Sequence, residues 1–463
     1  MQNDLKYEGY FYLPGKENNE VYGTLLYSQR NGILLELAGS LHDVMNQEIF
    51  KPDIILGNSL NGKKITLHKC FESNKHISSP GYISTIFSAI HLFIGAHFQD
   101  VNNINFSEVY LQFNNLDEWL DISGLKIDDS KYQSDKELII NFRLPGKINY
   151  KLNEDIDFGF SFSHSRFQIN ANQKEINLEQ HSNLFFLFNN KDADLNTILD
   201  LIIGFQTFLS LATFAVTYPC SIILINRDSY NEQYNVKYPE EINLYFERSK
   251  MVDESHVQNK FQMLFSYEKV RIEFQQIFQK WLSIRKDLRP TINLFFDYFY
   301  KSKTITTNNF LNIIHAIETY HRQRFNNYLI SPEKHKERLD KIYNSVSKEY
   351  LSWLKEKLTF SHEPSLKERL EEIMEMVKSE VLLEVLGNKN EIISDAKNTR
   401  NYYIHFSSNL KVKALKGKEL YHLTEKLMFL LIYCLLKDIG INENDIDELF
   451  SKNRYFLFSH LNY

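Results

Sequence analysis

Cysteine is scarce: Cys70, Cys220 and Cys434 stand far apart in 463 residues, with no Cys-x-x-Cys spacing. That excludes a disulfide framework, offers no structural zinc site and suits a reducing cytoplasm. An apolar leader is also missing, because Met1-Gln2-Asn3-Asp4-Leu5-Lys6 lacks the hydrophobic core of a signal peptide. Internal repeats and long disordered tails are absent too. One apolar run, residues 201–218, is about long enough to span a bilayer. It carries Gln206, Thr207, Ser210, Thr213 and Thr217, stops at Pro219, and has no flanking Lys or Arg clusters. It reads as a buried helix leading into a buried strand at residues 222–225, and no membrane partner is expected.

A local absence is more telling. Between Ala396 and Lys418 there is no acidic residue, while Lys397, Arg400, Lys411, Lys413, Lys416 and Lys418 supply positive charge. The chain as a whole carries −6, so it is no general nucleic-acid coat. The balance is uneven: residues 1–288 hold 27 basic against 36 acidic side chains, and residues 289–463 hold 26 against 23. With 43% hydrophobic and 24% charged residues, the composition is that of a folded protein too long for one core.

The pattern predicts an α+β chain. Short strands are expected at residues 7–13, 23–27, 32–37, 109–113, 138–142, 158–164 and 184–188. Asn61-Gly62 marks a hairpin between 54–56 and 65–68. Such spacing suggests a sandwich or barrel-like sheet. Helical periodicity takes over near residue 255, through Phe261, Leu264, Phe265, Val270, Phe274, Ile277, Phe278 and Trp281. Asn308 or Asn309 is placed to cap a helix with an apolar stripe at Phe310, Ile313, Ile314, Ile317 and Tyr320, and Ser331-Pro332 starts another. Later helices are expected at 348–358, 365–386, 389–408, 417–438 and 443–451. The implied division is a β-rich domain over 1–250, a helical transition over 251–289 and a helical domain over 290–463.

Candidate chemistry gathers in Thr399-Arg400-Asn401-Tyr402-Tyr403-Ile404-His405-Phe406. With 15 histidines in the chain, an Arg-x4-His pair arises readily by chance, so the basic context carries the weight. Asn401 and His405 share a helix face, whereas Arg400 lies about 140° from His405, so a two-fold pairing of this helix is expected to complete the site. The spacing resembles the Arg-x4-His signature of HEPN-type ribonucleases. RNA supplies its own nucleophile, the 2′-hydroxyl; His405 suits proton transfer, Arg400 phosphate positioning, and Asn401 support of either. Lys397, Lys411 and Lys413 are candidate phosphate contacts, and Tyr402, with Tyr403 and Phe406, a candidate base-stacking surface. Glu318, beside the apolar stripe, is a candidate partner for an arginine behind the site. The chemistry requires no cofactor and no metal. His315, His321 and His335 have no third ligand at a convincing spacing. A competing Arg454/His460 pair lacks the following Asn.

Residues 310–318, Glu337-Arg338-Leu339 and the motif at 399–405 resemble the Apea-like HEPN domains. Gly9-Tyr10-Phe11-Tyr12-Leu13-Pro14-Gly15, Val21-Tyr22-Gly23-Thr24-Leu25 and Leu34-Leu35-Glu36-Leu37 look like the N-terminal domain that accompanies them. The resemblance implies an anti-phage, abortive-infection ribonuclease with Arg400 and His405 as its catalytic pair. It implies host or phage RNA as substrate; a single-strand-seeking site suits messenger RNA and transfer RNA alike. The trigger at the β-rich N-terminal domain is open among a phage-derived protein, a nucleotide and the chain's own helical domain, and the split Arg/His geometry leads to the expectation of a homodimer or higher homo-oligomer. Ser407 replaces the Tyr that nucleotidyltransferase-controlled HEPN toxins often carry two residues after the His, so control by the N-terminal domain is the simpler expectation. The alternative is a non-catalytic RNA-binding or dimerisation module.

Overall fold

The structure, a computed structural model, describes residues 4–29, 31–43, 49–78, 81–172, 174–233, 236–246, 262–300 and 307–452. The chain divides into two compact units. One comprises Met1–Thr213, Thr217–Gln258 and Ser266–Glu268; the other comprises Phe214–Val216, Asn259–Phe265 and Lys269–Tyr463.

The first unit is built on one antiparallel hydrogen-bond ladder. Strands β1 (Leu5–Tyr12), β2 (Val21–Ser28), β3 (Gly32–Leu37), β4 (Ile54–Ser59), β5 (Lys64–Ser78) and β6 (Tyr82–Ile94) close into a six-stranded barrel in the order β6-β3-β2-β1-β4-β5, with β5 returning to β6. Alternation explains the closure: Leu25 and Tyr27, then Ile33, Leu35 and Leu37, point into a core shared with Phe11, Ile65, Leu67 and Phe87. Where staves pinch together side chains vanish. Gly9 lies opposite both Gly23 and Ser59, and a Cβ there would sit 2.2 Å from the Asn58 carbonyl oxygen. The expected Asn61-Gly62 hairpin joins β4 to β5.

The ladder continues beyond the barrel through β7 (Glu108–Phe113), β8 (Ile148–Lys151), β9 (Ile156–His164), β10 (Gln180–Phe188), β11 (Pro219–Gln233) and β12 (Val236–Phe246), in the order β8-β9-β10-β7-β11-β12. Strand β6 is the shared member: Thr85–Ala89 pairs with β3, and His91–Ile94 pairs with β12. Helix α1 (Leu195–Thr213) packs on this sheet through an aromatic cluster in which Trp119 contacts Phe160, Phe205 and Phe208 at ring-centroid distances of 6.0, 6.3 and 5.8 Å. Truncating a side chain this buried costs about 3–5 kcal/mol. Helix α1 is long and apolar enough to cross a membrane and is mostly buried. Its polar groups are satisfied locally: Thr207 and Thr213 donate to the Ile203 and Leu209 carbonyls, and Ser210 lies 2.6 Å from Thr217 Oγ1.

The second unit is helical: α2 (Phe274–Asp287), α3 (Arg289–Tyr300), α4 (Thr307–Arg324), α5 (Pro332–Ser345), α6 (Lys348–Lys357), α7 (Leu366–Glu375), α8 (Glu380–Leu386), α9 (Lys389–His405), α10 (Gly417–Asp438) and α11 (Glu443–Lys452). Helix α10 is buried on nearly every side from Leu427 to Leu436, which makes it the central rod, and α4 packs on it.

Four sequence expectations need correction. Residues 365–386 form two helices, because Tyr433 on α10 inserts its hydroxyl at the break, donating to the Met376 carbonyl at 3.1 Å and accepting from Lys378 N–H at 3.2 Å. Ser379 then caps α8. Asn308 and Asn309 lie inside the first turn of α4, which begins at Thr307, so neither caps it. Helix α9 stops at His405, where Phe406 takes a left-handed conformation, and does not reach residue 408. Leu264 and Phe265 are buried without being helical; Phe261 lies outside the described residues, as do Arg454 and His460.

Candidate active site

Helix α9 carries the motif. Asn388 caps it, its side chain accepting from the N–H groups of Asn390 and Glu391 at 3.0 and 3.3 Å. Ile392, Ile393, Ala396 and Thr399 form the buried stripe that seats it against α7, α4 and α10. This stripe fixes the rotation of the helix. Arg400 then emerges beside α4, and His405, the last helical residue, is exposed.

Arg400 is held by its fork. Nη1 donates to Asn401 Oδ1 at 3.2 Å, and Nη2 donates to Glu318 Oε1 at 3.4 Å. Both charged side chains are partly solvated, so the pair orients more than it stabilises. The Nε–H of Arg400 is buried and finds no hydrogen-bond acceptor among the described residues.

The helix end brings the rest of the predicted set close by. Phe406 adopts φ 49° and ψ 33°, with its N–H donating to the Tyr402 carbonyl at 2.6 Å. Its ring is 72% exposed and lies 5.8 Å from that of Tyr402. The following loop is tied back at Leu415: its N–H donates to Thr399 Oγ1 at 3.1 Å, and its carbonyl accepts from Tyr403 OH at 3.3 Å. The tie sets Lys416 over the Tyr402 ring, 5.7 Å from the centroid. Lys397 on the helix and Lys411 and Lys413 in the loop are exposed.

Arg400, Asn401 and Glu318 are thus brought together. His405 makes no hydrogen bond or ion pair with them among the described residues. The acid-free stretch of sequence is not acid-free in space, since Glu318 arrives from 82 residues away. Sequence reasoning also missed Arg369, 3% exposed on α7, which donates to His321 on α4 at 2.9 Å. The one signal that marked its helix was the capping box Ser365/Glu368, which fixes where α7 starts and hence where Arg369 points.

Family models match the chain twice: ApeA N-terminal domain 1 over residues 6–281, and Apea-like HEPN over residues 311–445. The second span contains Glu318, Arg369, Arg400, Asn401 and His405. No curated protein and no solved structure matches. HEPN domains are usually ribonucleases, and this type is tied to defence. The barrel-bearing N-terminal unit and the helical unit with its Arg-x4-His helix end therefore have one reading: the chain belongs to the ApeA family, with an ApeA N-terminal domain followed by an Apea-like HEPN domain.

Proposed function

We propose that the chain is a metal-independent endoribonuclease of anti-phage defence, acting in the cytoplasm as a homodimer and regulated by its N-terminal unit. The observation that carries the reading is Arg400: a guanidinium pinned by Glu318 and Asn401 at the end of a basic helix-loop segment, with one buried donor unmatched. A phosphate diester is the anion that suits a planar fork flanked by lysines and by the tilted rings of Tyr402 and Phe406.

In this reaction His405 accepts the proton of the ribose 2′-hydroxyl as the 2′-oxygen attacks phosphorus. Arg400 stabilises the charge gathering on the non-bridging oxygens, and the 5′-oxygen leaves with a proton returned by the imidazole. One P–O bond forms and one breaks, giving a 2′,3′-cyclic phosphate and a 5′-hydroxyl end. DNA has no 2′-hydroxyl and is left intact. Lys397, Lys411 and Lys413 hold the backbone, and Tyr402 with Phe406 holds an unpaired base. A second copy supplies the partner pair; the exposed Ile404 and Val412 beside the motif, the latter 93% exposed, give it an apolar seat.

The test is incubation of cellular RNA in EDTA with wild type and His405→Ala, with end-group mapping and infected-cell extract added as trigger. Cyclic-phosphate ends made only by wild type support the reading; identical RNA profiles for the two proteins remove it. The separation of His405 from Arg400 within one chain favours a second reading, an RNA-binding module without chemistry. That reading requires RNA affinity unchanged in His405→Ala and no wild-type cleavage under any trigger.

A further inference from the structure

Helices α5 and α6 form a hairpin inserted between α4 and α7, and little of it is buried. His335 is the one buried side chain of α5, and α6 has none. The base is clamped nonetheless. The His335 ring lies 5.3 Å from that of His362, with Nε2 3.4 Å from Ser361 Oγ. Tyr328 stacks on His362 with centroids 5.4 Å apart, and Leu329 N–H donates to the His362 carbonyl at 2.9 Å. The clamp stands next to the proposed site. Glu363, the residue after His362, accepts from Arg322 at 2.8 Å, and Arg322 is one turn along α4 from Glu318, which holds Arg400.

What the hairpin exposes is sorted by chemistry. On α5, Lys334, Arg338 and Lys341 recur at the i, i+4, i+7 spacing of one helix face, about 6 Å and then about 4.5 Å apart along the axis, and all three are exposed. None makes an ion pair among the described residues, and the acids of the helix, Glu333, Glu337 and Asp340, gather about 100° round it. On α6, Tyr350 and Trp353 share a face and are 55% and 58% exposed. The two faces adjoin. Lys355 on α6 lies over the Tyr343 ring on α5, 5.5 Å from its centroid, which marks one flank of the hairpin. Five residues are about 140° of helix. Arg338 stands five before Tyr343, and Tyr350 five before Lys355, with half-buried Leu339 and Ile342, then Leu351 and Leu354, turned between them. Cations and rings therefore emerge together on the opposite flank.

We propose that this flank is an arm for single-stranded RNA: Lys334, Arg338 and Lys341 grip phosphates along α5 while Tyr350 and Trp353 stack bases over α6, and so hold a strand next to the site at Arg400. Charge complementarity names the occupant. A row of unpaired cations suits a polyanion, and large exposed rings beside the row suit one whose unpaired bases present flat faces. A bilayer is the poorer fit, since Glu349 and Glu356 stand one turn before and one turn after Trp353 and deny the face a wide apolar stripe. With phosphates along α5, those two carboxylates meet bases and not backbone. The role beside a cleavage site rests on the ribonuclease reading; the affinity for RNA does not.

The experiment is fluorescence anisotropy of a labelled oligouridylate on the full chain, over a series of salt concentrations, in the His405→Ala background so that the RNA stays whole. Compared are that background alone, with Lys334→Gln, Arg338→Gln and Lys341→Gln together, and with Trp353→Ala. Loss of three phosphate contacts is expected to flatten the slope of log Kd against log salt by about 2. Loss of the ring is expected to weaken binding about fivefold to a hundredfold and to leave that slope unchanged. All four side chains are exposed, so melting curves are expected to coincide; should the triple variant melt early, Trp353→Ala decides alone. Equal affinity and slope in all three proteins overturn the arm, as does a loss seen only with phosphatidylserine vesicles and not with RNA. Cleavage by wild type with RNA affinity unchanged in both arm variants removes the arm and keeps the ribonuclease reading. Weakened binding in both variants, with no wild-type cleavage under any trigger, keeps the arm and removes that reading.

Discussion

Two histidine sites, one in each unit, meet opposite surroundings. In the barrel, His68 and His91 are register partners on β5 and β6, stacked with centroids 5.2 Å apart and Nδ1 atoms 3.2 Å apart, both buried. One ring donates to the other, so the pair cannot be doubly cationic. In the helical unit, His405 ends a helix exposed to solvent, and its ring has no hydrogen bond among the described residues. A ring locked in a pair serves the fold, while a ring left free at a basic helix end is available for proton transfer. The same side chain is thus read by its partners and not by its type.

The sharpest break in that comparison comes from His405. His405→Ala is expected to lower cleavage by about a hundredfold to ten-thousandfold while leaving the melting temperature within a degree or so, as quantitative end-labelled cleavage beside calorimetry will report. An exposed ring whose loss melts the helical unit would place it with the barrel pair instead. Next in size is Arg400→Lys, which keeps the charge and loses the fork; a fall of about a hundredfold or more in kcat separates directed donors from mere charge.

The barrel pair predicts an effect on stability. Burial, with the charges of His68 and Lys69 adding to it, holds His91 at a pKa of about 4, below its ordinary 6.5. A histidine neutral in the fold and protonated when unfolded stabilises fully above pH 6.5, and that stability drains away as pH falls toward 4. The loss is on the order of 3 kcal/mol. Urea melts of wild type and His91→Phe between pH 7 and 4 are expected to diverge, with the wild type the steeper; parallel curves would mean the pair titrates like a free ring.

Phe406→Gly is expected to act in two directions. Glycine relieves the left-handed backbone and raises stability by up to about 1 kcal/mol, while loss of the exposed ring weakens single-stranded RNA binding by about 1–3 kcal/mol. Fluorescence anisotropy and thermal melts will separate the two.

Local signals were legible in the sequence. The strand at Gly32–Leu37 and the Asn61-Gly62 hairpin rest on alternation and turn chemistry carried by the residues themselves. The burial of α1 was legible from the polar residues that interrupt its apolar run. Barrel closure was not legible to the same degree, because β1 pairs with β4 and β6 with β12 across long stretches of chain, and strand order leaves no local trace. Nor was the break at residues 376–379, which depends on a hydroxyl from α10. Arg400, Asn401 and His405 stood out as a motif and Glu318 as a partner for an arginine, but that this arginine is Arg400, and that Arg369, His321 and Glu372 cluster, emerges only once three helices meet.

Strand β6 gives five of its residues to the barrel edge and the next segment of the same edge to the open sheet. A stave that is also a rafter leaves no seam to cut. Barrel and sheet are expected to melt in one transition, because a cut in the exposed segment 99–103 that follows β6 leaves the β6–β12 pairing in place. From barrel to far strands the pairing is continuous, with register shifts in the β5–β6, β7–β11 and β11–β12 pairs where the ladder bends.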